Sequence, residues 1–101
     1  MDDWIDIGDG HYIRYFIWAP DRKLNPQYDH LPDVDKFGIQ IKHGICMSAI
    51  NFDGPVQKEI LKDSRHMWQV ESWEPLTISP SVLCTRCGDH GFIKGGKWIK
   101  A

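Results

Sequence analysis

The chain has 101 residues, which is enough for one domain, and we predict a single zinc-binding domain over residues 1–101. Hydrophobic residues make up 42% and charged residues 26%, values that exclude wholesale disorder. The formal net charge of -2 gives no general reason to expect nucleic-acid binding. No apolar run reaches the roughly 18 residues of a membrane helix, and no signal peptide is visible. We therefore expect a cytoplasmic protein without a membrane partner.

The first part of the chain predicts strands and one long loop. Residues 1–10 predict a short edge strand or an ordered tail, because they end in a glycine-rich turn. Residues 11–18 alternate aromatic and β-branched side chains and predict a strand buried on both faces. Residues 19–36 contain three prolines among aspartates and predict a loop. Two interpretations of this loop stay open, a partner site and a packed surface segment.

A β-hairpin is predicted after this loop. Residues 37–42 and 46–52 both alternate apolar and polar side chains, which is the pattern of half-buried strands. Gly44 supplies the turn between them. His43 and Cys46 are therefore expected at the tip of the hairpin.

The second part of the chain predicts a short helix over residues 56–63 and two short strands within residues 67–79. Residues 91–100 place a Gly-Gly pair between two β-prone tetrads, which predicts a C-terminal β-hairpin. The tryptophans at 68 and 73 are expected in the core, and those at 4 and 98 at the surface. The fold class is mainly β, with a small α+β fold possible, as a compact antiparallel β domain with a zinc knuckle.

The three cysteines all lie near histidines, and three is a poor number for a disulfide framework. Cys84 and Cys87 have the two-residue spacing with which a tight turn grips one zinc ion, and His43 and Cys46 repeat it. His90 has the same spacing from Cys87. Zn²⁺ prefers thiolate and imidazole in a tetrahedron, so these five candidates compete for four places. The three cysteines are preferred, and the two histidines contest the fourth place.

Other interpretations of the cysteines stay open, namely a redox pair and inert thiols. No deaminase signature, His-Glu-x-x-His motif, Gly-x-Ser-x-Gly elbow or phosphate loop is present, so no catalytic residue is identified and a structural ion is favoured. Asp89 is expected either to orient a ligand histidine or to lie in a surface turn. A zinc-dependent hydrolase with Asp89 or His30 as base is kept as the second alternative.

Two segments resemble a domain-of-unknown-function family of small phage and bacterial proteins. They are residues 74–81, which contain Leu76-Thr77-Ile78-Ser79-Pro80-Ser81, and residues 87–98, which contain Cys87-Gly88-Asp89-His90 and most of the terminal hairpin. The resemblance as a whole runs from about Ile39 to the end. Members show a similar Leu-Thr-x-Ser-Pro-Ser segment, a Cys-x-x-His pair and a hairpin. The resemblance implies a zinc-binding β-rich module whose upstream ligands, usually a cysteine-rich cluster, are reduced here to residues 43 and 46. It also implies a bacterial or phage setting, with host cytoplasm as the location if phage-encoded, and relatives that accompany ubiquitin-like conjugation genes.

The sequence therefore favours a zinc-binding module that binds another macromolecule, most simply a protein, and a host protein if the chain is phage-encoded. Five tryptophans support this interpretation weakly, because aromatic side chains often anchor interfaces. Nucleic-acid binding is the first alternative, through a basic hairpin with an aromatic side chain between its lysines. Its residues are Arg86, Lys94, Lys97, Lys100 and Trp98.

Overall fold

A computed structural model describes residues 3–62 and 67–101. Over these residues the larger sheet has six strands in sequence order. They are β1 (Ile5–Gly8), β2 (His11–Trp18), β3 (Val34–His43), β4 (Cys46–Phe52), β5 (Met67–Trp73) and β6 (Leu76–Ser79). Neighbouring strands are antiparallel except β4 and β5, which are parallel. A 3-10 helix covers Pro26–Tyr28, and helix α1 (Pro55–Leu61) joins β4 to β5.

A smaller antiparallel sheet has three strands, β7 (Val82–Leu83), β8 (His90–Lys94) and β9 (Lys97–Lys100). Strand β8 lies against β6, and β9 lies against β1. The small sheet therefore spans the two edges of the larger sheet.

The hydrophobic core fills the space between the two sheets, because alternate side chains of each strand point inward. Its members are Ile7, Ile13, Ile39, Ile41, Ile50, Phe52, Leu76, Ile78, Val82, Ile93 and Trp98. Trp98 packs over Gly91 on the neighbouring strand, where an added Cβ would lie 2.5 Å from the indole ring. A glycine is needed there because the ring occupies the space of any side chain.

The mainly β fold predicted from the sequence is confirmed, including the C-terminal hairpin and the hairpin with His43 and Cys46 at its tip. The long loop is shorter than predicted, because residues 34–36 already belong to β3 and the loop contains a 3-10 helix. The helix agrees with its prediction up to Leu61, while residue 63 lies outside the described residues, as do residues 1 and 2 of the N-terminal prediction.

Two predictions of tryptophan exposure are wrong. Trp98 is buried at 7% exposure, since it lies on the inward face of β9, and Trp73 is 44% exposed although a core position was predicted. In the described parts of the chain, the helices are too short and too polar to cross a bilayer.

Candidate metal centre and the adjacent serine and histidine

Four side chains from two separate turns meet at one point. His43 and Cys46 pair across the turn between β3 and β4, and Cys84 and Cys87 lie in the loop between β7 and β8. Their ligand atoms all lie within 4.8 Å of one another, and Cys87 Sγ is 3.9 Å from His43 Nε2. Three sulfurs and one imidazole nitrogen form a set that could hold a metal ion.

The loop between β7 and β8 is shaped by its own backbone. The amide of Gly88 donates a hydrogen bond to the Cys84 carbonyl at 2.8 Å, and the amide of Cys84 donates to the Asp89 carbonyl at 2.8 Å. Gly88 has a φ of +80°, a conformation that glycine adopts without steric cost. This closed loop turns the Cys84 and Cys87 side chains toward the β3–β4 turn.

The environment shifts the pKa values of two thiols in opposite directions. The backbone amide of Cys87, followed by the His43 side chain and the amide of Arg86, lowers the pKa of Cys84 to about 6. Burial, followed by hydrogen bonding among the neighbouring thiols, raises the pKa of Cys46 to about 11. The lowered pKa favours the thiolate form of Cys84, and the raised pKa favours the thiol form of Cys46.

Asp89 links the cluster to strand β2. Its Oδ2 lies 2.5 Å from His11 Nε2 and 3.8 Å from His43 Nδ1. His11 is buried, and its Nδ1 donates a hydrogen bond to the Asp9 carbonyl at 2.8 Å. The His11 ring stacks between His43 and Trp98, at centroid distances of 4.8 and 4.0 Å. His11, His43 and Asp89 form a second group of side chains that could hold a metal ion. Within this group, Asp89 Oδ2 already lies within hydrogen-bonding distance of His11 Nε2.

Of the five predicted ligands, four lie in the cluster, and the fifth, His90, faces elsewhere. Its Nε2 lies 2.7 Å from Ser81 Oγ. His30 is not among the clustered side chains, and its Nε2 lies 3.9 Å from Glu59 Oε1. Of the two histidines predicted to contest the fourth position, His43 is the one that lies close to the three cysteines.

Ser81 and His90 are brought together by the pairing of β7 with β8. Val82 lies opposite Gly91 and Leu83 opposite His90, so Ser81 and His90 are diagonal neighbours on one face of the small sheet. When the imidazole hydrogen is on Nδ1, the Ser81 hydroxyl donates its hydrogen bond to Nε2. This is the geometry in which an imidazole takes the proton of an attacking hydroxyl. His90 is exposed and Ser81 is partly exposed, so a substrate can reach both.

The backbone of Ser81 has its own anchor. The indole Nε1 of Trp68 donates a hydrogen bond to the Ser81 carbonyl at 3.3 Å. Two residues earlier, Ser79 Oγ donates to Glu71 Oε2 at 3.2 Å. The segment that carries Ser81 is thus attached to β5 by side chains as well as by strand pairing.

Sequence reasoning missed the pair of Ser81 and His90. His90 was considered only as a metal ligand, and Ser81 only as the end of the Leu-Thr-x-Ser-Pro-Ser segment. The available signal was their placement, since the serine and the histidine stand on either side of the Cys84 to Cys87 segment, which the cluster closes into a loop.

The residues predicted for nucleic-acid binding are only partly at the surface. Arg86, Lys94, Lys97 and Lys100 are exposed. Trp98 packs against His11 and is buried, so it offers no free face to a base.

Residues 43–101 match the model of a protein family described as bacterial ubiquitination-like system serine protease (BubE). The matched segment covers more than half of the chain and contains the four clustered residues, Ser81 and His90. The description names a bacterial system, and it mentions neither zinc nor a phage. No curated protein and no solved structure matches the chain. The chain belongs to the family of bacterial ubiquitination-like system serine proteases.

Proposed function

Because the chain belongs to this family, we propose that it cleaves peptide bonds with Ser81 as nucleophile and His90 as general base. The observation that carries the proposal is the 2.7 Å contact between Ser81 Oγ and His90 Nε2 on an exposed face. We propose that the substrate is a protein of a bacterial ubiquitination-like system. This substrate would be the protein partner that was expected from the sequence. The proposal differs from the sequence-based preference for a module without enzymatic activity.

The proposed reaction follows acyl transfer to serine. Ser81 Oγ attacks the carbonyl carbon of the scissile bond while His90 Nε2 takes the hydroxyl proton. His90 then gives this proton to the leaving amine, the peptide bond breaks, and an ester to Ser81 remains. Water then attacks the ester while His90 accepts its proton, the bond between the acyl carbon and Ser81 Oγ breaks, and His90 returns the proton to Oγ as the second product leaves with a free carboxylate. His90 is the only described side chain that is hydrogen-bonded to the Ser81 hydroxyl, so we propose a dyad.

We also propose that the four clustered residues hold a structural Zn²⁺. The three sulfurs and the imidazole of His43 supply four donors, which fill a tetrahedral shell and leave no place for a reacting water. This donor set argues against the zinc-dependent hydrolase considered from the sequence. Thiolate ligands suit a reducing compartment, and we propose the bacterial cytoplasm.

The proposed dyad depends on the proposed ion, because the loop that the ion would hold connects the strands of Ser81 and His90. Ser81 precedes β7, His90 begins β8, and the cluster closes the loop between these two strands onto the β3–β4 turn. An ion at the cluster would fix the relative position of the two strands without touching the substrate. Metal binding would then be required for activity although the reaction itself uses serine.

The test is hydrolysis of a quenched-fluorescence peptide library by the full chain. Ser81→Ala and His90→Ala should each lower kcat/KM by roughly a thousandfold or more, and the double variant should lose little beyond either single variant. His30→Ala is the matched control, because this exposed histidine lies beside Glu59 and forms no hydrogen bond with Ser81 or His90. Circular dichroism should show the same fold in all variants. Full activity in Ser81→Ala would refute the proposal.

A further inference from the structure

The outward face of the small sheet carries exposed apolar side chains beside Ser81 and His90. Leu83 lies opposite His90, and Phe92 lies opposite Ile99. Leu83 is 54% exposed and Ile99 is 46% exposed, while Phe92 is partly exposed. Successive side chains of a strand point to opposite faces of the sheet, and the buried side chains of these strands point into the core. Leu83, Phe92 and Ile99 therefore point away from the core.

The same face ends in two lysines. Lys94 and Lys97 are direct cross-strand partners, an arrangement in which like charges repel. In residues 3–62 and 67–101, neither lysine forms an ion pair with a carboxylate. Lys94 Nζ lies 5.4 Å from the centre of the Phe92 ring, so its charge borders the apolar patch. An acidic ligand would relieve the repulsion between the two cations.

We propose that this face binds the substrate as an extended polypeptide with an apolar and then an acidic residue on one side of the scissile bond. The proposal rests on the proposed function of Ser81 and His90. The register that pairs Val82 with Gly91 continues to Ser81 and Phe92, so Phe92 lies beside the proposed nucleophile. Lys94 is two residues farther along β8, which is about 7 Å. A substrate strand parallel or antiparallel to β8 has the same rise per residue. The apolar side chain therefore lies next to the bond that is cleaved, and the acidic one lies about two residues beyond it.

A polypeptide suits the face better than a nucleic acid does. The apolar patch of Leu83, Phe92 and Ile99 is continuous with the dyad and offers contacts for aliphatic side chains. The only tryptophan of the small sheet, Trp98, is buried and turned inward, so it cannot stack on a base.

The experiment measures binding to the Ser81→Ala variant, which separates the face from the chemistry. Two ten-residue peptides share a central Leu-Val pair, and one continues with Asp-Glu where the other has Lys-Lys. Binding is followed by fluorescence anisotropy and by backbone amide NMR shifts. The acidic peptide should bind more tightly and shift Leu83, Phe92 and Ile99. The charge-reversed pair Lys94→Glu and Lys97→Glu should weaken its binding by roughly three- to tenfold.

The control is a second charge-reversed pair, Lys23→Glu and Lys62→Glu, which changes net charge equally at exposed positions outside the small sheet. If the two charge-reversed double variants bind the acidic peptide equally weakly, the loss reflects net charge and the proposal is overturned. Shifts confined to other strands, or preference for the basic peptide, would also overturn it. Tighter binding of single-stranded DNA at the same residues, weakening steeply with salt, would assign the face to nucleic acid instead. Loss of hydrolysis alone would count against the dyad and not against the face.

Discussion

Zinc should stabilise the folded chain. The free energy of unfolding should rise with the logarithm of the free zinc concentration, with the slope expected for one bound ion. Four donors from two distant turns meet only in the folded state, and His43 and Cys87 are 44 residues apart in sequence. The unfolded chain therefore has no preformed site. For one site, the free energy of unfolding rises by about 1.4 kcal/mol for each tenfold increase in free zinc above the dissociation constant. In a domain of about 100 residues, this corresponds to roughly 6–11 °C in Tm.

The assay is thermal unfolding followed by circular dichroism in metal buffers that cover several decades of free zinc. Cys46→Ser removes one of the three sulfurs and should lower the affinity, so that the rise begins at much higher zinc concentrations. His30→Ala should keep the wild-type curve, because His30 is not part of the cluster. A Tm independent of zinc in the wild type would refute the structural ion. A slope of about 2.8 kcal/mol per decade would require two ions per chain.

Three further substitutions test the packing and hydrogen bonds around the cluster and the proposed dyad. Gly91→Ala places a methyl carbon 2.5 Å from the tryptophan ring on the next strand and should lower the free energy of unfolding by about 1–3 kcal/mol in urea titrations. Trp68→Phe keeps a ring but removes the indole donor to the carbonyl of Ser81, the proposed nucleophile, so kcat/KM should fall by roughly tenfold with a smaller change in Tm. His11→Ala deprives the Asp89 carboxylate of its buried partner and should cost about 2 kcal/mol, measured by the same urea titrations.

The strands could be predicted where side chains of two kinds alternate along the segment itself. Residues 11–18 and 46–52 alternate along their whole length, and both segments are strands with those bounds. The start of β3 was not predictable, because residues 34–36 carry two charges and join the sheet through pairing of Val34 with Trp18. Such long-range pairing leaves no periodic signal in the segment itself.

The burial of Trp98 was missed because local sequence does not fix which face of a short hairpin is inward. Strand β9 carries Trp98 on one face and Ile99 on the other, and either could serve the core. The choice depends on Gly91, which leaves room for the indole on the neighbouring strand. A register shift of one residue would have exchanged the two.

The candidate metal cluster and the proposed dyad differ in how far each could be predicted from the sequence. Spacing within a turn brings Cys84 near Cys87 and His43 near Cys46, so those pairs were found. Ser81 and His90 meet through the register of two strands on the side of the sheet away from the core. His90 also has ligand spacing from Cys87, and that local signal concealed its position beside Ser81.

The central claim is that Ser81 is a nucleophile activated by His90, and covalent labelling tests it most directly. The full chain is treated with a fluorophosphonate probe, which reacts with activated serine hydroxyls, and the modified residue is located by peptide mass spectrometry. The account predicts a single adduct on Ser81 that is lost in Ser81→Ala and strongly reduced in His90→Ala. Labelling of another serine, or an unchanged rate in His90→Ala, would contradict it.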